Sequence, residues 1–137
     1  MDEFKAQQYS APALAFLGDS VYSTLVRERL VTRSNTAVKK LHNTSVAYVR
    51  AGFQARASEL IEPVLTEQEA AVMKRGRNAA CGSGSVPKSS NPIEYHKATS
   101  LEALFGYLKL SGQDVRMAEL FDLIWDNSEE LLNDKSV

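Results

Sequence analysis

The chain has 137 residues, 44% of them hydrophobic, and a net charge of −1. That is enough for one domain with a real core, spanning residues 1–137, and too short for two. No apolar run approaches the roughly 18 residues of a membrane span, and MDEFKAQQYS has none of the regions of a secretory leader, so a cytoplasmic protein with no membrane partner is expected. Cys81 is the only cysteine, which excludes an intrachain disulfide and, without a Cys/His cluster, argues against zinc. The charges are uneven: residues 27–97 hold 12 Lys/Arg against 6 Asp/Glu, while both ends are acidic. Such a split suits a basic face for a polyanion, or simply a solvated surface.

In chain order, Leu14, Leu17, Val21 and Leu25 recur at helical spacing and predict a first amphipathic helix. The alanine-rich run NTAVKKLHNTSVAYVRAGFQARASEL predicts one or two helices over residues 36–60. Thr66 with Glu69 three residues later forms a capping box, so a helix is expected from there to about Arg75. CGSGSVPKSSNP, rich in Gly, Pro and Ser and free of periodicity, predicts a loop. Leu101, Leu104, Phe105 and Leu108, then Met117, Leu120, Phe121 and Ile124, mark two further helices, and NSEELLNDKSV reads as a fraying helix end. With no alternating strand pattern anywhere, the expected class is all-α.

Two acids stand out. Asp19 borders the apolar arc of its helix, with Gly18 and Ala15 leaving room beside it. Glu102 borders the next stripe in the same way, with Gly106 beside it. Each has a structural reading. Asp19 suits an acid held by a neighbouring group at the core boundary, and Thr99 to Glu102 is itself a capping box that would make Glu102 a helix cap. Each also has a chemical reading: two carboxylates from adjoining helices would suit Mg²⁺, a hard ion that prefers oxygen and keeps several waters. Periodicity does not tell whether the helices adjoin.

LAFLGDSVY resembles the signature of the ribonuclease III domain, in which an apolar pair, glycine, aspartate and a small residue follow glutamates. TSLEALFGYLKLSG is similar to the second signature of that family, which carries the other catalytic glutamate. Together with KRGRNA, VPKSSNP and the expected lack of a further domain, the resemblance is closest to the Mini-ribonuclease III branch and covers essentially the whole chain. It implies an all-helical ribonuclease III fold, a homodimer and Mg²⁺-dependent cleavage of double-stranded RNA, with Mn²⁺ as a substitute ion. It further implies maturation of the ends of 23S ribosomal RNA, with a ribosomal protein as an accessory partner. By position, Asp19 and Glu102 become the catalytic, metal-binding acids.

Departures accompany the match. Where larger ribonuclease III enzymes have further acids, this chain has Pro12, Ala15 and Thr99, which leaves a non-catalytic RNA-binding or ribosome-assembly protein as the alternative. With no double-stranded-RNA-binding domain expected, the grip on RNA would fall to Lys74, Arg75, Arg77 and Lys88 around the Gly/Ser loop, as phosphate contacts across a shallow minor groove. The other reading of Lys74 and Arg75 is as cations favouring the C-terminal dipole of their helix. His42 and His96 read as surface or capping histidines, with phosphate contact or proton transfer as the alternative, and Tyr22 as a core residue whose hydroxyl lies near the acids. The first expectation for the dimer interface is the Leu14 to Val26 stripe; the other is that this stripe is internal.

Overall fold

The computed structural model describes residues 1–83 and 91–133, with side chains from residue 1 to 79 and again from 91. Among the described residues eight α-helices follow in order: α1 (Glu3–Gln7), α2 (Ala11–Arg33), α3 (Val38–Val49), α4 (Ala51–Ile61), α5 (Glu67–Ser83), α6 (Pro92–Leu110), α7 (Asp114–Asp126) and α8 (Ser128–Asn133). A 3₁₀ turn, Glu62–Val64, joins α4 to α5. No strand occurs among the described residues, in agreement with the all-α expectation.

The long helices start where the chemistry of their first residues puts them. At α2 the Ser10 hydroxyl accepts from the Ala13 N–H, and Pro12 follows in the first turn, where its missing N–H costs nothing. At α6 the Asn91 carboxamide oxygen accepts from the N–H groups of Ile93 and Glu94, with Pro92 opening the helix. α6 ends in a Schellman motif: Gly112 at φ 69° turns the chain, its N–H donates to Lys109 O, and the Gln113 N–H donates to Leu108 O.

That start for α6 corrects one expectation. Thr99 lies two turns inside the helix, and its hydroxyl donates to Tyr95 O, so Thr99 to Glu102 caps nothing. The capping box at Thr66 does form: the Thr66 N–H donates to Glu69 Oε1 at 2.9 Å and the Glu69 N–H to the Thr66 hydroxyl at 3.1 Å. Its helix runs on past Arg75 to Ser83, so Lys74 and Arg75 are not at a helix C-terminus and residues 81–83 of the expected loop are helical, while residues 84–90 of it lie outside the described residues.

α6 is the central element. Ala98, Ser100, Leu101 and every residue from Ala103 to Leu108 are buried, a helix enclosed nearly all round by α2, α4 and α5. The stripes at Leu101–Leu108 and Met117–Ile124 are core as expected. On α2, however, the buried face is Ala11, Leu14, Ala15, Gly18, Tyr22, Val26 and Leu30, while Leu17, Val21 and Leu25 lie half-buried at its edge. The core face is thus rotated toward the small residues, because α2 meets a helix there and not a pool of side chains. Tyr22 anchors it, with its ring edge-on to Phe105 and Phe121 at 5.6 and 5.8 Å and its hydroxyl donating to Tyr48 O at 3.2 Å.

Glu69 ties α5 to α7. Its carboxylate is 3% exposed and receives two bonds from Arg116, both at 2.9 Å, while the same guanidinium donates to Val64 O. Burial alone would raise the Glu69 pKa, but the bonds from Arg116 and Thr66 prevail and hold it below the usual carboxylate range. Arg116→Ala leaves a buried carboxylate without its cation and is expected to cost about 3 kcal/mol, read by denaturant melts. Because the folded-state pKa is depressed, this stabilisation is present above the unfolded pKa and lost as pH falls through the folded one, so the gap between wild type and variant should close in acid.

Candidate active site

The site is made by a helix crossing that only glycine permits. A Cβ on Gly18 of α2 would lie 1.6 Å from the carbonyl oxygen of Glu102 on α6, and a Cβ on Gly106 would lie 1.9 Å from the carbonyl oxygen of Leu14. The two backbones therefore touch, and the residues just beyond the contact, Asp19 and Glu102, are brought side by side. Their carboxyl groups are close enough to share a hydrogen bond. Asp19 is exposed at the surface and Glu102 sits deeper, half-buried.

A third helix reaches the pair. Gln54 of α4 is 3% exposed, and its side chain reaches the Glu102 carboxyl. No sequence expectation included Gln54. The available signal was its place in a stripe with Ala57, Ser58 and Ile61 at spacings of three, four and seven, where a long polar side chain needs a partner.

Burial, with the adjacent Asp19 carboxyl next, raises the Glu102 pKa from 4.5 to about 8, while the Gln54 hydrogen bond acts in the opposite sense. Glu102 thus keeps its proton near neutrality. The Tyr22 phenol, buried and facing the charge of Glu102, is pushed far above its ordinary range and stays neutral, which fits a core residue close to the site.

The donors fit a small hard cation. They are oxygens throughout, and two adjacent carboxylates gain from a cation that neutralises them. Among the described residues no group of three or more His, Cys, Asp or Glu side chains could hold a metal. This agrees with the places of the missing acids: Ala15 is buried against the core, Pro12 is in the first turn of α2, and the Thr99 hydroxyl is bonded within its own helix. Mg²⁺, which keeps most of its waters, needs only one or two carboxylates from a protein.

The four cations expected to grip RNA are not alike. Lys74 is exposed and Arg77 half-buried on α5, whose Gly76 packs against Ser100 and Ala103 of α6. The Arg75 guanidinium donates to Gln7 O at 2.7 Å and Tyr9 O at 2.6 Å and so holds the end of α1. Lys88 lies outside the described residues. His42 lines a groove between α2 and α3 with Arg27, Leu30 and Val38, a groove that neither acid lines.

The ribonuclease III domain model matches residues 12–113, which include α2 after its first residue, all of α4 and α6, and both acids. The chain belongs to the ribonuclease III family. It is 47% identical over 113 residues to a Mini-ribonuclease 3 of Symbiobacterium thermophilum, an alignment spanning 82% of this chain and 85% of that one. A Mini-ribonuclease 3 of Desulfitobacterium hafniense is 43% identical, with 86% and 73% covered, and one of Clostridium tetani is 34% identical, with 94% and 87% covered. In fold, the chain superposes on a crystal structure of a Fusobacterium nucleatum protein with a TM-score of 0.81, covering 93% of this chain and 99% of the other at 24% identity. The chain is accordingly an endoribonuclease of the ribonuclease III type, and Asp19 and Glu102 stand in the two stretches that carry the family resemblance.

Proposed function

We propose that this chain is a cytoplasmic, single-domain, Mg²⁺-dependent endoribonuclease that cuts double-stranded RNA as a homodimer, with Mn²⁺ able to replace Mg²⁺. Its proposed substrate is a 23S ribosomal RNA precursor whose ends it matures during large-subunit assembly, with a ribosomal protein as accessory partner. The observation that carries this reading is the carboxyl pair of Asp19 and Glu102 at the α2/α6 crossing. Glu102, deeper and reached by the Gln54 side chain, serves as the fixed ligand. Asp19, at the surface, is the acid available to both ion and substrate. A bound Mg²⁺ would supply an activated water and stabilise the leaving oxygen of a phosphodiester. Ion binding displaces the Glu102 proton, so affinity for the ion should rise with pH up to about 8.

A homodimer would present two such pairs to the two strands of a duplex. Leu14 and Val26 of the expected interface stripe are internal, whereas Phe16, one turn from Asp19, is 85% exposed and is the apolar side chain of α2 best placed for a partner copy. The acids missing at Pro12, Ala15 and Thr99 support the second reading, an RNA-binding protein that does not cut. Incubation with labelled duplex RNA and with a 23S precursor, in Mg²⁺, Mn²⁺ or EDTA, separates the two. Metal-dependent cuts at the precursor ends support the nuclease; duplex binding without metal-dependent cutting supports the second reading.

The grip on RNA is assigned to Lys74 and Arg77, with Lys88 and, more weakly, Arg75. Lys74→Ala with Arg77→Ala should weaken duplex binding at moderate salt and reduce the slope of log K against log salt by about one for each phosphate no longer neutralised, with the melting temperature unchanged. Arg75→Ala should instead lower the melting temperature, because it frees the end of α1. Fluorescence anisotropy across a salt series reads the first effect and circular dichroism the second.

A further inference from the structure

Gln54 is a buried polar side chain that the carboxyl pair alone does not explain. It lies on α4 between Phe53 and Ala55, with Ala57, Ser58 and Ile61 completing a helix buried on most of its surface, and it is itself 3% exposed. A long carboxamide enclosed in this way is retained only if it is hydrogen-bonded. α4 packs along α6, and the polar group that the carboxamide reaches there is the Glu102 carboxyl. Glu102 is therefore held from two helices: Asp19 of α2 meets it on the solvent side of the α2/α6 crossing, and Gln54 of α4 meets it within the core.

We propose that Gln54 is a positioning residue for the metal-dependent cleavage, donating its side-chain N–H to one oxygen of Glu102 so that the other faces Asp19 and the ion. The inference rests on the metal-dependent reading above. An ionised carboxylate only accepts, and has about four lone-pair sites across its two oxygens; with one committed to Gln54, the rotation of the group is set before any ion arrives. A ligand so prepared loses less freedom when an ion binds, and outer hydrogen bonds of this kind are worth roughly 10–100-fold in metal affinity or activity. Gln54 touches neither ion nor RNA in this role. Its effect is transmitted wholly through Glu102.

The test compares wild type, Gln54→Met, Glu102→Gln and the double variant in Mn²⁺ titrations of RNA-free protein by calorimetry, alongside kcat on duplex RNA. Methionine keeps the length and volume of glutamine and removes the donor. Gln54→Met is expected to bind Mn²⁺ about 10–100-fold more weakly, to cut slowly at limiting metal and faster as metal is raised, and to bind RNA in EDTA as wild type does. In the double variant Mn²⁺ binding should equal that of Glu102→Gln alone, since a residue acting through Glu102 has nothing left to act on. Additive losses in the double variant, or Mn²⁺ binding by Gln54→Met equal to that of wild type while both enzymes cut, overturn the role of Gln54 and leave the nuclease reading intact. A wild type that neither binds Mn²⁺ nor cuts overturns both.

Discussion

Glu102→Gln should abolish Mg²⁺-dependent cleavage of duplex RNA, by about a thousandfold or more, without unfolding the protein. Loss of a metal ligand removes several kcal/mol of stabilisation from developing charge, and each 1.36 kcal/mol is a factor of ten in rate. Asp19→Asn should fall as far. The thermal behaviour of the Glu102 variant distinguishes this from a structural role. Glu102 has a pKa of about 8 when folded against 4.5 for the free side chain. This is a raised acid, so the sign is the reverse of the Glu69 case: as pH rises from about 4.5 to about 8 the unfolded chain gives up its proton first, and stability is progressively lost. Metal-free wild type should therefore melt lower at pH 8 than at pH 5, other groups being equal, and Glu102→Gln should remove that slope. Mn²⁺ should raise the melting temperature of wild type far more than that of the variant. A variant that cuts normally, or one that melts far below wild type at pH 8, would contradict the assignment. Melts at pH 5 and pH 8 with and without Mn²⁺, run beside a gel assay, provide the whole comparison.

Gly18→Ala and Gly106→Ala should be the most damaging single-methyl additions in the protein. The added carbon meets main-chain carbonyl oxygens at 1.6 and 1.9 Å, and a main chain within a helix cannot swing aside as a side chain would. Alanine recovers about 1 kcal/mol of helix propensity over glycine, but overpacking typically costs 1–3 kcal/mol where side chains can yield, and here they cannot. A net loss of about 3 kcal/mol or more is expected, lowering the melting temperature by roughly 10 °C. Any variant that still folds must separate α2 from α6, which parts Asp19 from Glu102 and removes activity at temperatures where the chain is still folded. Gly52→Ala is the control. Its Cβ would meet the Glu94 carboxylate at 3.2 Å and the Arg56 guanidinium at 3.3 Å, the movable ends of long side chains, so the substitution should be nearly neutral. Calorimetric melts of the three variants order them, and equal tolerance of all three would show that the α2/α6 contact is looser than its geometry implies.

The central part of this fold is readable from periodicity because burial of large side chains drives it. The stripes ending at Leu108 and at Ile124 are core, and the Thr66/Glu69 box caps α5, since both depend on neighbours within one turn. On α2 the same reasoning is displaced. Large apolar residues pointed to Leu17, Val21 and Leu25, but the buried face holds Ala15 and Gly18, because closest approach between helices selects for the absence of a side chain, and a hydrophobicity pattern gives such positions little weight. Glu102 shows the complementary failure. Thr99 to Glu102 has every local mark of a capping box, yet Asn91 and Pro92 start the helix two turns earlier, and a local motif carries no record of a better start upstream.

By itself, then, the sequence determined the all-helical class and most of the core stripes, because each depends on residue type and short-range spacing, while resemblance singled out the two acids as candidates. Only the tertiary structure decided that Asp19 and Glu102 stand side by side, that Arg75 is engaged with α1, and that Gln54 reaches Glu102 from a third helix. These depend on which helix surfaces meet, and two glycines 88 positions apart set that meeting by letting main chain touch main chain.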